Sequence, residues 1–266
     1  MIKNVAAIKL GGSVVTKKSS PFSCDVSNVS SLVEDIYEYT RLEGSDRLII
    51  VHGGGSFSHR VASTYKESRR ELLKTELGAS LVSYAARDLN SRIMQIVLDH
   101  GLKAFSFLTS SMMYRNNHSL VFSAPELLTE AINAGWVPIL FGDIVFDLSS
   151  ETWEIVSSED IISVLANSIS FTRILVGTDK DGVLEDFKNP KTLVKTIDSK
   201  SIKKIKEFLK PSEHLDITGG MLAKVMNLYS EAEKHRIVSH IFNGRAHGLL
   251  LRSLMGDVSF GTTIRL

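Results

Sequence analysis

The stretch Val5-Ala-Ala-Ile-Lys-Leu-Gly-Gly-Ser-Val-Val-Thr-Lys-Lys18 decides how the rest of this sequence is interpreted. Its apolar run, from Val5 to Leu10, has the length of a buried strand and ends at two glycines. Lys9 lies inside this run, where a charge is costly unless an anion pairs with it. Glycines let backbone N–H groups approach an anion, so a strand, a glycine turn and lysines together favour phosphate binding. The same residues also suit a plain strand-ending turn with solvated lysines.

The composition is that of a soluble globular enzyme. With 266 residues, of which 43% are hydrophobic and 23% charged, the chain can bury a substantial core as one large α/β domain or two lobes. The net charge of +1 argues against general binding to nucleic acids or membrane surfaces. No apolar run approaches the ~18 residues of a membrane span. The single cysteine, Cys24, fits a reducing compartment, and no signal-peptide pattern is present, so we expect a cytoplasmic protein.

A second apolar run, Arg47–His52, also leads into glycines, at Gly53-Gly-Gly55. Two strands that each end in a glycine-rich turn before a helix predict a parallel sheet with its ligand at the carboxyl edge. Further strands are predicted at 103–107, 136–141, 173–177 and 237–242, with a closing edge strand at 262–266 and hairpins within 112–122 and 144–156.

Helical spacing of apolar residues predicts helices at 29–37, 74–100, 124–133, 159 onward, 200–209, 220–235 and 246–255. Ser123-Ala-Pro-Glu126 is expected to form a capping box, and Ser157 or Ser158 to cap the next helix. Residues 1–171 and 172–266 are therefore interpreted as two lobes built on one continuous sheet.

Several standard site signatures are absent from the sequence. There is no P-loop pattern, and Ser58 stands where the dinucleotide fingerprint needs its third small residue. The turn Thr178-Asp-Lys-Asp-Gly182 lacks the later ligands of a calcium loop. Zinc, Ser-His-Asp and paired-carboxylate spacings are also missing, and we assign no metal ligands.

What remains is a set of cations beside glycine turns, namely Lys9, Lys18, His59 and Lys224. Phosphoryl transfer needs such cations, with backbone N–H groups around the phosphates and little covalent chemistry. A lone lysine near a helix start usually faces solvent, and His59 could be structural. The weight of the prediction therefore comes from the combination: Lys9 and Lys18 flank the first glycine turn, His59 follows the second, and Lys224 follows the last.

Five motifs, in order along nearly the whole chain, resemble the amino acid kinase family. They are Lys9-Leu-Gly-Gly-Ser13, His52-Gly-Gly-Gly-Ser-Phe-Ser-His59, Gly142-Asp-Ile-Val145, Thr178-Asp-Lys-Asp-Gly-Val183 and Asp216-Ile-Thr-Gly-Gly-Met-Leu-Ala-Lys224. Within the family, the spacing from Thr16 to Lys18 and the histidine after the glycine turn most resemble the isopentenyl phosphate kinase branch. The fosfomycin kinases share most of these features.

The resemblance implies an α/β fold, an αβα three-layer sandwich with a central, mostly parallel sheet. It also implies ATP with Mg²⁺, direct in-line transfer and a homodimer, with the acceptor in lobe 1–171 and ATP in lobe 172–266. By the same resemblance, Lys9 and Lys224 would bridge the ATP phosphates, Lys18 would stabilise the transferring phosphoryl group, and Asp160 would orient the lysines. ATP would also contact Gly11, Gly12, Ser13, Gly55, Thr178, Asp179, Gly182, Gly219 and Gly220, and the acceptor would contact Gly54, His59 and Ser158.

Some residues on the acceptor side depart from the isopentenyl phosphate kinase pattern, namely Ser58, Arg60, Phe141 and the pair Ser158-Glu159. These departures do not affect the residues assigned to phosphoryl transfer, so they leave open only the identity of the acceptor. The leading hypothesis is ATP-dependent conversion of isopentenyl phosphate to its diphosphate. The alternatives are a phosphonate kinase of the fosfomycin type and a non-catalytic ATP-binding regulator.

An isopentenyl tail needs an apolar pocket. The sequence offers one face of the predicted helix 74–100, with Leu81, Tyr84, Ala85 and Leu89. Simple core packing would also explain these four residues.

Overall fold

The computed structural model describes residues 4–17, 19–65, 75–186, 189–209 and 220–266. The strands are β1 (Val5–Leu10), β2 (Arg47–His52), β3 (Ala104–Ser106), β4 (Met113–Asn116), β5 (Ser119–Phe122), β6 (Val137–Phe141), β7 (Asp143–Asp147), β8 (Thr152–Val156), β9 (Phe171–Thr178), β10 (Thr196–Ile197), β11 (Val238–Asn243) and β12 (Thr262–Ile264). The α-helices are α1 (Gly12–Val15), α2 (Val26–Thr40), α3 (Gly55–Tyr65), α4 (Glu76–Asp99), α5 (Thr109–Met112), α6 (Pro125–Asn133), α7 (Ser158–Ala166), α8 (Ile202–Phe208), α9 (Gly220–His235) and α10 (Leu249–Leu254).

The central sheet has eight strands in the order β10-β12-β11-β9-β1-β2-β6-β3. All its neighbouring pairs are parallel except β11 with β12. Leu10 at the end of β1 pairs with His52 on one side and Gly177 on the other. The glycine turns after β1 and β2 and the polar turn after β9 therefore meet at one edge of the sheet, as the sequence predicts.

Alternate residues of β1 enter two separate apolar cores, which confirms the three-layer architecture. Val5 and Ala7 pack with helices α6, α7 and α9 on one face of the sheet, whereas Ala6, Ile8 and Leu10 pack with α2, α4 and α10 on the other. All six residues of β1 are buried, because helices cover both faces. Lys9 is also buried, on the same face of the sheet as Val5 and Ala7 and one residue before the carboxyl end of β1.

A second, four-stranded sheet has the order β5-β4-β7-β8. It contains both predicted hairpins, β4 with β5 and β7 with β8. One parallel pairing, Arg115 with Asp147, joins them, and the sequence does not predict that union. A small apolar cluster of Ala62, Ala79, Val82 and Ile144 packs this sheet against α3 and α4.

Two local predictions are wrong. Thr262–Ile264 is not an edge strand, because the two-residue strand β10 pairs with its outer side. Ser123 does not form a capping box, because its hydroxyl donates to the Met112 carbonyl at 2.8 Å. The cap at Ser157 is confirmed: its side chain accepts from the Asp160 N–H, and the Asp160 carboxylate accepts in return from the Ser157 N–H.

The central sheet draws strands from both predicted lobes, with β9 beginning at Phe171, next to the proposed lobe boundary. The sheet is thus continuous, and the division at 171 stays a prediction. Among the described residues, no helix combines the length and apolar character needed to cross a membrane.

His52 supports the glycine turn from behind. It is fully buried, its Nε2 lies 3.3 Å from Asn90 Oδ1, and its ring stacks on Phe141 with the centroids 5.4 Å apart. Burial lowers the pKa of His52 to about 4, although its hydrogen bonds with Gly53 and Asn90 partly offset this by raising the pKa. The ring is therefore neutral at physiological pH.

We expect His52 to make the fold sensitive to acid. In the unfolded chain His52 takes up a proton near pH 6.5, whereas in the folded chain it does so only near pH 4. The neutral, buried ring therefore contributes its full share to the free energy of unfolding above pH 6.5, and this contribution falls as the pH is lowered to 4. The full loss is about 3 kcal/mol. The free energy of unfolding, measured with urea between pH 7 and 4, should fall less steeply with decreasing pH in His52→Gln than in wild type. Ile50→Val on the same strand is the control: it lowers stability without removing a titrating group, so it should keep the wild-type pH slope. Equal slopes in His52→Gln and wild type would show that His52 does not cause the sensitivity to acid.

Candidate active site

The carboxyl edge of the central sheet opens into a cavity of about 510 Å³. The predicted site residues that line it are Lys9, Gly11, Gly12, Ser13, Gly54, Gly55, His59, Ser158, Thr178, Asp179 and Lys224. The structure thus brings together residues that are far apart in the sequence. Gly182 instead packs near Thr262 and Leu193, and Gly220 begins α9. Lys18 and Gly219 lie outside the described residues.

The first two glycine turns touch each other at the cavity floor. A Cβ atom on Gly12 would lie 2.5 Å from the Gly55 backbone N and Cα, so no side chain fits there. Gly55 has a φ of +49°, and Thr16 Oγ1 accepts from the Ser56 N–H at 3.0 Å. These contacts set the first residues of α1 and α3 side by side at the floor, and backbone N–H groups at the start of a helix suit phosphate oxygens.

Two lysines share one carboxylate inside the cavity. Lys9 Nζ donates to Glu159 Oε1 at 2.6 Å, and Lys224 Nζ lies 4.0 Å from the same oxygen. The three side chains come from β1, from the first turn of α7 and from α9. Ser158 Oγ donates to the other oxygen of Glu159 at 2.9 Å, so both carboxylate oxygens have fixed partners.

The charges in this cluster depend on one another. Burial lowers the pKa of Lys9, and the Glu159 carboxylate partly opposes that effect. Burial would raise the pKa of Glu159, but the ammonium groups of Lys9 and Lys224 outweigh it and hold the pKa at about 2. Glu159 is therefore an anion at any physiological pH, and it keeps two cations at the end of β1.

The assignment of the lysine-orienting carboxylate to Asp160 is wrong. Asp160 Oδ2 accepts from the backbone N–H of Ser157 at 3.0 Å and from its hydroxyl at 2.8 Å. Neighbouring residues on a helix point about 100° apart, so only one of the two carboxylates can face the lysines. Glu159 does so, and Asp160 closes the helix N-terminus.

Four apolar residues also line the cavity, namely Ala62, Val82, Ile155 and Val156, and Ala62 lies three residues after His59 on α3, on the same side of that helix. The residues predicted for an apolar tail lie elsewhere: Leu89 is fully buried in the core, and Leu81, Tyr84 and Ala85 line a separate surface cavity of about 420 Å³. None of these four residues lines the cavity at the sheet edge, whereas Val82 on the same helix does. Ala62 and Ile155 carry no sequence signal, because they reach the cavity only through the packing of α3 and the second sheet.

Among the described residues that line the cavity, no three histidine, cysteine or carboxylate side chains come close enough together to hold a metal ion. Glu159 is held by the lysines, and Asp143 is buried, which raises the pKa of its carboxyl. Mg²⁺ in kinases is bound mainly by phosphate oxygens and water, with one or two carboxylates. The described residues therefore fit an Mg²⁺ ion that arrives with a nucleotide.

Glycine turns at the carboxyl edge of an αβα sandwich, with two lysines bridged by a half-buried carboxylate, define a phosphate-binding protein. The sequence profile of the amino acid kinase family matches residues 4–243, and the chain belongs to that family.

The chain is 32% identical over 264 residues to the isopentenyl phosphate kinase of Methanocaldococcus jannaschii, with 97% of each chain covered. It is 30% identical over 269 residues to the isopentenyl phosphate kinase of Methanothermobacter thermautotrophicus, again with 97% of each chain covered. A crystal structure of an isopentenyl phosphate kinase superposes with a TM-score of 0.80 at 28% identity, covering 98% of this chain and 100% of that one.

Proposed function

We propose that this protein transfers the γ-phosphoryl group of ATP to isopentenyl phosphate, giving isopentenyl diphosphate and ADP. The observation that carries the proposal is a single cavity with a cationic, glycine-lined floor and an apolar wall that includes Ala62, on the same side of α3 as His59. A phosphate monoester with a short hydrocarbon tail presents one polar and one apolar end, which suits both parts of this cavity. The full-length similarity to isopentenyl phosphate kinases supports the same acceptor.

In this mechanism, ATP places its phosphates over the turn at Gly11–Ser13 and over Gly55, where Lys9 and Lys224 balance their charge. An oxygen of the acceptor phosphate attacks the γ-phosphorus in line, and the bond to the β,γ-bridging oxygen breaks, leaving ADP. Lys18, by its resemblance to the family motif, stabilises the phosphoryl group in transit. His59 holds the acceptor phosphate. The protein supplies position and charge, which is what phosphoryl transfer requires.

Mg²⁺ accompanies ATP in this proposal and neutralises the charge that develops on the phosphate oxygens. The family resemblance also supports a cytoplasmic homodimer. Sedimentation of the purified protein at several concentrations tests the oligomeric state.

Initial rates of ADP release with isopentenyl phosphate and with fosfomycin test the acceptor. We expect kcat/KM for isopentenyl phosphate to exceed that for fosfomycin by at least about 10²-fold, because fosfomycin leaves the apolar wall largely uncovered. The phosphonate alternative is not favoured, since the similar proteins described above are isopentenyl phosphate kinases. Equal activity with both acceptors would refute the proposed substrate, and ATP binding without turnover of either would indicate a regulator.

The apolar wall gives a second prediction. Ile155 is half-buried beside the cavity, so phenylalanine at this position fills the cavity rather than the core. Ile155→Phe should raise KM for isopentenyl phosphate about tenfold, since about 1–3 kcal/mol separates ligands that differ by one methylene in a tight pocket. KM for ATP should not change. Leu81→Phe, in the separate surface cavity, is the matched control and should leave both KM values unaltered; the reverse pattern would place the tail along α4.

A further inference from the structure

A histidine and two carboxylates converge on the second sheet, away from the phosphate-binding floor. Each of His118, Asp147 and Glu154 offers one ligand atom, and these three atoms lie within 4.8 Å of one another. His118 Nδ1 is 3.7 Å from Asp147 Oδ2. The three residues come from the β4–β5 turn, the end of β7 and the middle of β8, so the fold rather than a sequence motif brings them together.

One carboxylate oxygen of Asp147 receives no hydrogen bond from the described residues. The side chain is fully buried, and Oδ1 accepts from the Ser149 N–H at 2.8 Å. No hydrogen bond reaches Oδ2 from the residues that the structure describes. A buried anionic oxygen without a donor is costly, and here it points toward the His118 ring.

The tight β4–β5 turn and the Arg115 side chain hold His118 and Glu154 in place. Asn117 and His118 both have positive φ values, 48° and 65°, in the tight β4–β5 turn. Arg115 Nη1 donates to the His118 carbonyl at 2.8 Å, and its Nε lies 3.1 Å from Glu154 Oε2. Arg115 thus fixes both the turn and one oxygen of Glu154, as residues behind a metal ligand commonly do.

We propose that His118, Asp147 and Glu154 bind one divalent transition-metal ion of the Zn²⁺ type, with water completing its coordination. One imidazole nitrogen and two carboxylate oxygens suit this class of ion better than Mg²⁺ or Ca²⁺, which prefer oxygen ligands alone. Two ligands about 2.1 Å from a tetrahedral zinc lie roughly 3.4 Å apart, close to the distance between His118 and Asp147. The exposed His118 ring can make the small remaining adjustment.

The proposed ion would act on structure rather than on phosphoryl transfer. It would tie the β4–β5 turn to the β7–β8 hairpin, whose other residues, including Ile155 and Val156, form the apolar wall of the cavity. We therefore expect Zn²⁺ to raise the melting temperature of the protein without any nucleotide.

Isothermal titration of the metal-free, full-length protein with ZnCl₂ in the absence of ATP tests the site. We expect one ion per chain, and a loss of affinity of about 10-fold or more in His118→Ala and in Asp147→Asn. His118 is 82% exposed, so His118→Ala should match the wild-type melting temperature in EDTA. His247→Ala, which removes another exposed histidine, should bind Zn²⁺ like wild type. No binding to wild type, or equal binding to wild type and His118→Ala, would overturn the proposal.

Discussion

Replacement of Lys9 by methionine is expected to lower kcat by about 10²–10³-fold, the usual loss when one preorganised charge or donor is removed from a transition state. Methionine keeps the length and apolar stem of lysine but removes the buried cation at the end of β1. Steady-state ADP release with saturating ATP and isopentenyl phosphate measures the effect. A kcat within threefold of wild type would show that Lys9 does not act on the transferred group.

The Lys9→Met variant also leaves Glu159 without its short ion pair, which can destabilise a protein by about 3–5 kcal/mol. The double variant Lys9→Met/Glu159→Gln separates the two effects, because it removes the unpaired anion together with the cation. We expect its free energy of unfolding to recover toward the wild-type value while kcat stays low. Recovery of both would mean that Lys9 matters only for folding.

Glu159→Gln should lower kcat by about 10²-fold without raising KM for ATP. The carboxylate holds Lys9 and Lys224 together, with distances of 2.6 and 4.0 Å to one oxygen. Without it, the two ammonium groups repel each other and no longer meet the transition state in fixed positions. The negative charge that faces the phosphates is lost as well, so ATP binding should not weaken. Full kcat in this variant would contradict the role of Glu159.

Asp160→Asn is the matched control for Glu159→Gln, since it neutralises the adjacent carboxylate. In the part of the chain that the structure describes, the side-chain hydrogen bonds of Asp160 stay within the helix cap, with Ser157. We expect a loss of about 1 kcal/mol or less in the free energy of unfolding, with kcat within about threefold of wild type. A large fall in kcat here, with little effect in Glu159→Gln, would restore the assignment made from sequence.

The fold could be predicted well from the sequence because its strongest signals are local. Buried apolar runs ending in glycines predict strands that end at a common edge, and β1, β2 and β9 confirm this. Long-range pairing carries no such signal. The sequence therefore does not show that Arg115 pairs with Asp147 to build a second sheet, or that the two-residue β10 covers the outer side of β12.

The floor of the site was also predictable, since glycine turns and their lysines stand out in the sequence. The errors concern the direction in which side chains point on helices. The motif does not distinguish Glu159 from Asp160. However, Ser157 lies three residues before Asp160, which is the spacing of a capping box, and this favours Asp160 as the cap partner and Glu159 as the residue that faces the lysines. Val82 and Leu81 differ by one position on α4, and only the packing of α3 shows which one faces the cavity.

The position of β1 in the middle of the sheet has a consequence for how the protein folds. One neighbour, β2, follows early in the chain, but Leu10 must also pair with Gly177, well past the middle of the sequence. Closing so large a loop is slow, so the first strand to be synthesised is among the last to be completed. Until β9 arrives, one edge of β1, whose side chains are apolar except for Lys9, stands open to other chains, and nascent or truncated forms lacking β9 should aggregate.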